Sequence, residues 1–198
     1  MAESKHFFAM MARMKYIERW ALMRNSATEN ISEHSLEVAM IAHALAVIGN
    51  IRFKKNLDAN KAALIGLYHD ATEIITGDLP TPVKYFNAGI KSAYKEVEKV
   101  AAKKLLEMLP EDMREYYSDL FFKADGDEYL WKLVKAADKL SALIKCIEEE
   151  KAGNTEFSSA RVSTEKAIEA LELEEVKEFV NDFMDSYKLT LDELQLED

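Results

Sequence analysis

The residues from Ile31 to Ile48 read ISEHSLEVAMIAHALAVI and predict the central element of the fold. Asn30 or Ser32 can cap a helix that starts here. The apolar side chains leave no polar face, and a helix that is apolar nearly all round is buried in its protein. We therefore predict a central helix to about Ile48 that stops at Gly49-Asn50. His43 lies within it and is interpreted as a core histidine.

A second central helix follows directly along the chain. Asp58 can cap it, its residues are mostly apolar, and Gly77 marks its end after Thr76. Because only a short connection separates the two helices, we expect them to pack together. The segment Asp78–Pro82 contains two prolines and predicts a rigid, non-helical strap.

The rest of the chain also favours helices, since it has only six Gly and three Pro. An all-α fold in a single domain, residues 1–198, is the expected architecture. A first helix is expected from about Lys5 to Tyr16, an irregular segment from Glu18 to Ile31, and a short acidic tail at the end of the chain. The other predicted helices are Ala88–Met108, Glu111–Phe122, Asp127–Lys151, Glu156–Ala170 and Glu174–Tyr187.

The net charge of −10 argues against a polymeric nucleic acid as partner, because phosphate backbones require a basic surface. A small phosphorylated substrate remains compatible with it. Cys146 is the only cysteine, which excludes an intramolecular disulfide and a cysteine-rich zinc module. The start Met1–Lys5 does not resemble a signal peptide, and the longest apolar run, 38–48, is too short for a bilayer. We expect a cytoplasmic protein that binds no membrane.

Two histidines and two aspartates indicate a metal site. Asp70 follows His69 inside the second apolar helix, where a buried carboxylate needs a cation or a strong donor. His34 lies in the first turn of the neighbouring helix, and Asp138 borders the inner face of a later one. Such a set suits a divalent ion of intermediate hardness, from Mn²⁺ to Zn²⁺, without selecting one.

Glu73 stands four residues after His69 and three after Asp70, so a continuous helix would present all three on one face. A carboxylate there could move a proton during hydrolysis. From the residues alone, simpler interpretations stay open. His34 could be a capping or surface residue, and Asp138 could pair with Lys135 or Lys139.

Four longer strings carry a family resemblance. They are RWALMRN (19–25), ENISEHS (29–35), YHDATE (68–73) and TGDLPTPVKYFN (76–87). Together with the order of the histidines and aspartates, they resemble the HD superfamily of metal-dependent phosphohydrolases, and within it the YfbR group of bacterial 5′-deoxynucleotidases. The resemblance covers nearly the whole chain and is weakest after about Phe157.

The resemblance implies a compact multi-helix HD-domain bundle with its metal site between the central helices. It implies hydrolysis of deoxyribonucleoside 5′-monophosphates to deoxynucleoside and phosphate, with one divalent transition metal ion such as Co²⁺ or Mn²⁺, and a homodimer. The metal ligands it implies are His34, His69, Asp70 and Asp138. Glu73 matches the catalytic carboxylate.

Five further positions match substrate contacts of the family. Arg19 matches a phosphate contact, Trp20 a residue that lines the sugar, and Asp78 an acceptor for the sugar 3′-hydroxyl. Pro80 and Thr81 match residues that line the substrate site on the same side as Asp78. Without the family, Arg19 would be interpreted as a surface cation, Trp20 as a core anchor and Asp78 as a turn residue.

Two other functions remain possible. One is a different HD activity on nucleoside triphosphates, cyclic nucleotides or alarmones, although few cations lie near the motifs. The other is a non-catalytic, nucleotide-binding regulatory HD protein, against which the intact ligand set and Glu73 argue.

Overall fold

A computed structural model describes residues 5–84 and 86–195. The described residues leave out Met1–Ser4, Tyr85 and residues 196–198. The sequence predictions for the N-terminus, the 76–87 string and the acidic tail therefore lie partly outside the described residues. The described residues are helical, with one isolated β-bridge and no strand, so the all-α prediction is confirmed. The helices are α1 (Phe7–Met11), α2 (Ile31–Arg52), α3 (Ala59–Tyr68), α4 (Glu73–Thr76), α5 (Thr81–Lys84), α6 (Ala88–Glu107), α7 (Glu111–Phe121), α8 (Glu128–Lys151), α9 (Ser158–Glu169), α10 (Glu174–Phe183) and α11 (Leu191–Gln195), with 3₁₀ turns at Met14–Tyr16, Thr155–Phe157 and Met184–Lys188.

Helix α2 begins with a capping box. The Asn30 side chain accepts from two amides of the first turn, and the Glu33 carboxylate accepts from the Asn30 amide. The predicted stop at Gly49 is wrong, because the helix continues to Arg52. Gly49 does not adopt positive φ, and its carbonyl accepts from the amide of Phe53.

Helices α2, α3 and α8 form the centre of the main core. Gly66 of α3 lies so close to α2 that a Cβ there would meet the Ala39 Cα at 2.9 Å. This approach brings the start of α2 beside the end of α3. The most deeply buried apolar residues of this core include Val38, Ala42, Leu45, Ala62, Ile65, Leu133, Ala136, Ala137 and Leu140.

One face of α2 is not covered by any of the described residues, so the prediction of a fully buried helix is wrong for that face. Leu36 is 55% exposed and Met40 59% exposed. His43 is exposed as well, which corrects its interpretation as a core histidine. Nine residues after His34, it lies half a turn away from the buried side.

Because α2 is longer than predicted, its length does not rule out a membrane span. It is the one helix of the described chain that is long and apolar enough. More than half of its most apolar window is buried inside the protein, which is the situation of a core helix.

The second central helix is interrupted, where one continuous helix was predicted. α3 ends at Tyr68, residues 69–72 form turns, and α4 starts at Glu73. At the interruption the Gly66 carbonyl accepts from the ring Nδ1 of His69 at 2.7 Å. The turn is tightened by a bond from the Glu73 amide to the Asp70 carbonyl. The interruption between α3 and α4 thus positions the polar side chains of His69 and Asp70.

The strap is also partly helical, which corrects the prediction for its second half. Thr81 begins α5, and the Pro80 carbonyl accepts from the amides of Val83 and Lys84. Pro82 fits there because the first turn of a helix has no use for its missing amide.

The ends of the chain are more divided than predicted. The first helix splits into α1 and a 3₁₀ turn, and the predicted tail contains α11. The predicted helix Glu156–Ala170 starts with a 3₁₀ turn, and Glu174–Tyr187 is α10 followed by a 3₁₀ turn. Helices α9 and α10 pack on α8 and α2 of the same chain.

Candidate metal centre

His34, His69 and Asp70 form one cluster and Asp138 reaches it beside His34, although the four residues come from distant parts of the sequence. His34 Nε2 lies 3.4 Å from an Asp70 carboxylate oxygen and 3.4 Å from one of Asp138. His69 Nε2 lies 3.1 Å from the same Asp70 oxygen. His34 is supplied by α2, His69 and Asp70 by the turn after α3, and Asp138 by α8.

Both imidazoles are oriented by hydrogen bonds at their Nδ1 atoms. His69 Nδ1 donates to the Gly66 carbonyl at 2.7 Å. His34 Nδ1 lies 2.9 Å from the Ser141 hydroxyl, which donates its own hydrogen to Glu37 at 2.5 Å. Ser141 must therefore accept from His34. Both Nε2 lone pairs consequently point into the cluster, as in metal-ligating histidines that are held by outer hydrogen bonds.

The Nε2 atoms of His34 and His69 are buried and have no hydrogen-bond partner. One ligand atom from each of His34, His69 and Asp70 lies within 4.8 Å of the others. Buried nitrogen acceptors without donors are costly unless a cation is bound. The donor set therefore fits a divalent metal ion.

The aspartates supply the negative charge for such an ion. Burial disfavours ionisation of Asp70, yet His69 and His34 hold the pKa of its carboxyl well below the usual range. Burial opposes ionisation of Asp138 too, and the proximity of His34 and the charge of Lys139 lower its pKa. Both carboxylates are thus ionised in the cluster.

Glu73, at the start of α4, behaves in the opposite way. It is only 6% exposed, and one carboxylate oxygen has no hydrogen-bond partner. Burial, together with the charges of Asp70 and Asp78, raises its pKa to about 10. In the metal-free protein Glu73 therefore carries a proton at neutral pH.

Arg19 lies on the edge of the same site. Its guanidinium donates to Glu29 at 2.8 Å, and its side chain is 11% exposed. Burial lowers the pKa of Arg19, but surrounding carboxylates reverse this and raise it. Those carboxylates are Glu29, Asp138, Asp70 and Asp78. The interpretation as a surface cation is thus excluded.

Trp20 is held beside Arg19. Its indole Nε1 donates to Glu29 at 2.9 Å, and its ring lies 5.2 Å from that of Phe157. Its backbone has φ of +60°, which is unfavourable for a bulky residue and must be held by the surrounding contacts.

Asp78 follows Gly77, whose φ of +72° ends α4 and turns the chain. Burial and the charge of Asp70 raise the pKa of Asp78, although the charge of Arg19 opposes this rise. Asp78, Arg19 and Asp70 are therefore close enough to interact electrostatically. Pro80 and Thr81 lie at the start of α5. Thr81 is exposed, and within the described chain no hydrogen bond or ion pair connects either residue to the ligand cluster.

Four residues of the site were not predicted. Glu37 and Ser141 each lie three positions after a predicted ligand, so helical spacing could have identified them. Glu29 and Lys84 occur inside the family strings without an assigned role. Lys84 donates to Glu98 at 2.9 Å, and its charge lowers the pKa of both Glu73 and Asp78.

Comparisons with known proteins identify the family of this sequence. A family model described as 5′-deoxynucleotidase YfbR-like matches residues 6–187. A 5′-deoxynucleotidase of Erwinia tasmaniensis is 51% identical over 192 residues, which is 97% of each chain. The 5′-deoxynucleotidase YfbR of Shigella flexneri is 50% identical over 192 residues, 97% of this chain and 96% of that one.

Among solved structures, an HD-domain phosphohydrolase from Listeria innocua superposes with a TM-score of 0.80 at 21% identity, covering 96% of this chain and 92% of that chain. A cyanophage S-2L HD phosphohydrolase, bound to dA and one catalytic Zn²⁺ ion, gives a TM-score of 0.65 at 18% identity, covering 92% and 96%. At these identities the likeness shows the fold alone, and it confirms the predicted HD-domain bundle.

Proposed function

The chain belongs to the family of YfbR-like 5′-deoxynucleotidases, and on this basis we propose that it hydrolyses deoxyribonucleoside 5′-monophosphates to deoxynucleoside and phosphate. The resemblance inferred from the four sequence strings is thereby confirmed. The observation that carries the proposal is that the buried, partnerless Nε2 atoms of His34 and His69 lie within 3.1–3.4 Å of the carboxylates of Asp70 and Asp138. Glu73 and Arg19 border this cluster.

His34, His69, Asp70 and Asp138 would hold one divalent transition metal ion. The structurally similar cyanophage phosphohydrolase is bound to one catalytic Zn²⁺ ion, while the nitrogen and oxygen donors here also suit Co²⁺ and Mn²⁺. Such an ion, when bound, stabilises negative charge on a phosphoryl group and makes water more acidic. Which divalent metal ion the site holds is a prediction.

The protein's own residues supply the other parts of the reaction. The planar guanidinium of Arg19 can donate two hydrogen bonds to the phosphate. Glu73 is the carboxyl group placed to transfer a proton during hydrolysis, for example to the departing 5′-oxygen of the sugar. In this assignment Asp78 accepts from the 3′-hydroxyl, and Trp20 occupies the space that a ribose 2′-hydroxyl would need. Pro80 and Thr81 would line the sugar beside Asp78.

Phosphate release tests the proposal directly. We expect release from deoxyribonucleoside 5′-monophosphates in the presence of Mn²⁺ or Co²⁺, much less from the paired ribonucleotides, and none with chelator. Glu73→Ala should abolish turnover while metal still binds, whereas Glu18→Gln, an exposed control, should not. Preferential hydrolysis of triphosphates or cyclic nucleotides would indicate another HD activity. Nucleotide binding without phosphate release would indicate a regulatory protein.

The homodimer remains part of the proposal. The exposed apolar face of α2, with Leu36, Met40 and Ile51, would be covered by a second copy. Light scattering should give twice the chain mass, and Met40→Glu should lower it; a monomeric parent protein would contradict this. A single domain over 1–198, a cytoplasmic location, and no binding to membranes or polymeric nucleic acid are predictions as well.

A further inference from the structure

The loop from Ile17 to Ile31 is closed at its base by backbone bonds. The Arg19 amide donates to the Glu29 carbonyl at 2.9 Å, and the Ile31 amide donates to the Ile17 carbonyl at 2.9 Å. This antiparallel bridge places Glu29 directly across from Arg19 and next to the first turn of α2. The side chain of Glu29 is consequently fixed at the border of the metal centre.

One oxygen of Glu29 joins two substrate-facing side chains. The Oε2 atom accepts from the Arg19 guanidinium at 2.8 Å and from the Trp20 indole at 2.9 Å. Its other oxygen lies 3.9 Å from His34 Nδ1. The Glu29 side chain is 14% exposed, so both bonds are shielded from water.

We propose that Glu29 is a positioning residue that couples the phosphate contact of Arg19 to the sugar wall of Trp20, and thereby sets the preference for deoxyribose over ribose. The inference rests on the proposed function. It assigns Glu29 no contact with substrate. Glu29 would act through the orientation of Trp20, because the indole can exclude a ribose 2′-hydroxyl only if the ring cannot move aside.

Trp20 needs such a support. Its positive φ is a strained conformation, and Glu29 is the only described hydrogen-bond partner of its indole. Arg19 lies against the indole as well, with its guanidinium carbon 5.6 Å from the ring centre. Loss of the Glu29 charge would therefore release both side chains together.

The far side of the loop is anchored independently of Glu29. The buried Glu149 accepts from the Ser26 amide at 2.8 Å and from Asn154 at 2.7 Å, and Lys145 donates to the Ala27 carbonyl at 2.6 Å. Because these contacts hold the loop on α8, a change at Glu29 should alter side-chain positions while the loop stays in place.

Kinetics on paired substrates form the first test. Glu29→Gln keeps the shape and removes the charge, so that a neutral amide oxygen replaces the carboxylate oxygen that accepts both bonds; Glu18→Gln is the matched control on the same loop. With Mn²⁺ present, we expect the ratio of kcat/KM for deoxyadenosine over adenosine 5′-monophosphate to fall about tenfold in Glu29→Gln, the typical effect of one hydrogen bond to a charged group. KM should rise for both substrates, and Glu18→Gln should match the parent.

Tryptophan fluorescence forms the second test and needs no turnover. In a Trp131→Phe background Trp20 is the only tryptophan, and Glu29→Gln should increase its quenching by acrylamide. Glu29→Asp, which keeps the charge but shortens the side chain, should show the same direction and serves if Glu29→Gln does not fold.

The outcomes separate the two proposals. A parent protein that releases no phosphate from either substrate overturns the proposed function, while quenching still reports whether Glu29 holds Trp20. An active, selective parent whose Glu29 variants keep the parent ratio and the parent quenching overturns the role of Glu29.

Discussion

Replacing Glu73 with glutamine should stabilise the metal-free protein while it removes activity. Glu73 is buried, one of its oxygens lacks a partner, and its neighbours Asp70 and Asp78 are acidic. The folded protein therefore holds a proton on a group that the unfolded chain would release at neutral pH. Glutamine has the same shape and no proton to retain.

The magnitude follows from the two pKa values. In the unfolded chain Glu73 titrates near 4.5, and in the folded protein its pKa is raised to about 10. A raised pKa contributes stability that is fully present below the lower value and is lost as pH rises toward the higher one. Between pH 4.5 and pH 7 the loss extends over 2.5 pH units, or about 3.5 kcal/mol at roughly 1.4 kcal/mol per unit. Glu73→Gln should recover most of that free energy at pH 7 and none at pH 4.

Urea unfolding with chelator present, compared across pH 4 to 8, measures this effect. The free energy of unfolding of the variant minus that of the parent should increase with pH, while Glu18→Gln should show no such trend. A variant that is no more stable than the parent at pH 7, or a gain that does not depend on pH, would refute the reasoning.

Three further predictions concern the supports of the site. Ser141→Ala removes the acceptor for His34 Nδ1 and should weaken Co²⁺ binding about 10- to 100-fold in calorimetry; unchanged affinity would contradict the outer hydrogen bond. Co²⁺ at about 100 times its Kd should raise the free energy of unfolding of the parent by about 3 kcal/mol, and Asp138→Asn should abolish most of that rise in thermal melts. Glu149→Gln leaves the buried Lys145 charge without its partner and should cost about 3–5 kcal/mol in urea unfolding, whereas a neutral result would show that the pair does not anchor the loop.

The sequence predicted the elements that depend on local patterns. The capping residues at Asn30 or Ser32 and the apolar run behind them predicted the start of α2, and the sequence also predicted the four candidate ligands that the structure brings close together. Each of these features is encoded within a few neighbouring residues or in the family strings.

The features that the sequence did not predict depend on contacts between distant residues. The break after Tyr68 involves the His69 ring bonding to the Gly66 carbonyl, which helical periodicity cannot show. Gly49 resembles a helix end but is helical within a packed surface. His43 is exposed because no part of the described chain covers that face of α2.

In the proposed function His34, His69, Asp70 and Asp138 together bind one divalent ion. Anomalous diffraction from crystals grown with Co²⁺ measures this directly. We predict a single strong peak per chain within bonding distance of both Nε2 atoms and both aspartates. The absence of a peak between these four side chains, or cobalt bound elsewhere with the cluster empty, would contradict the account.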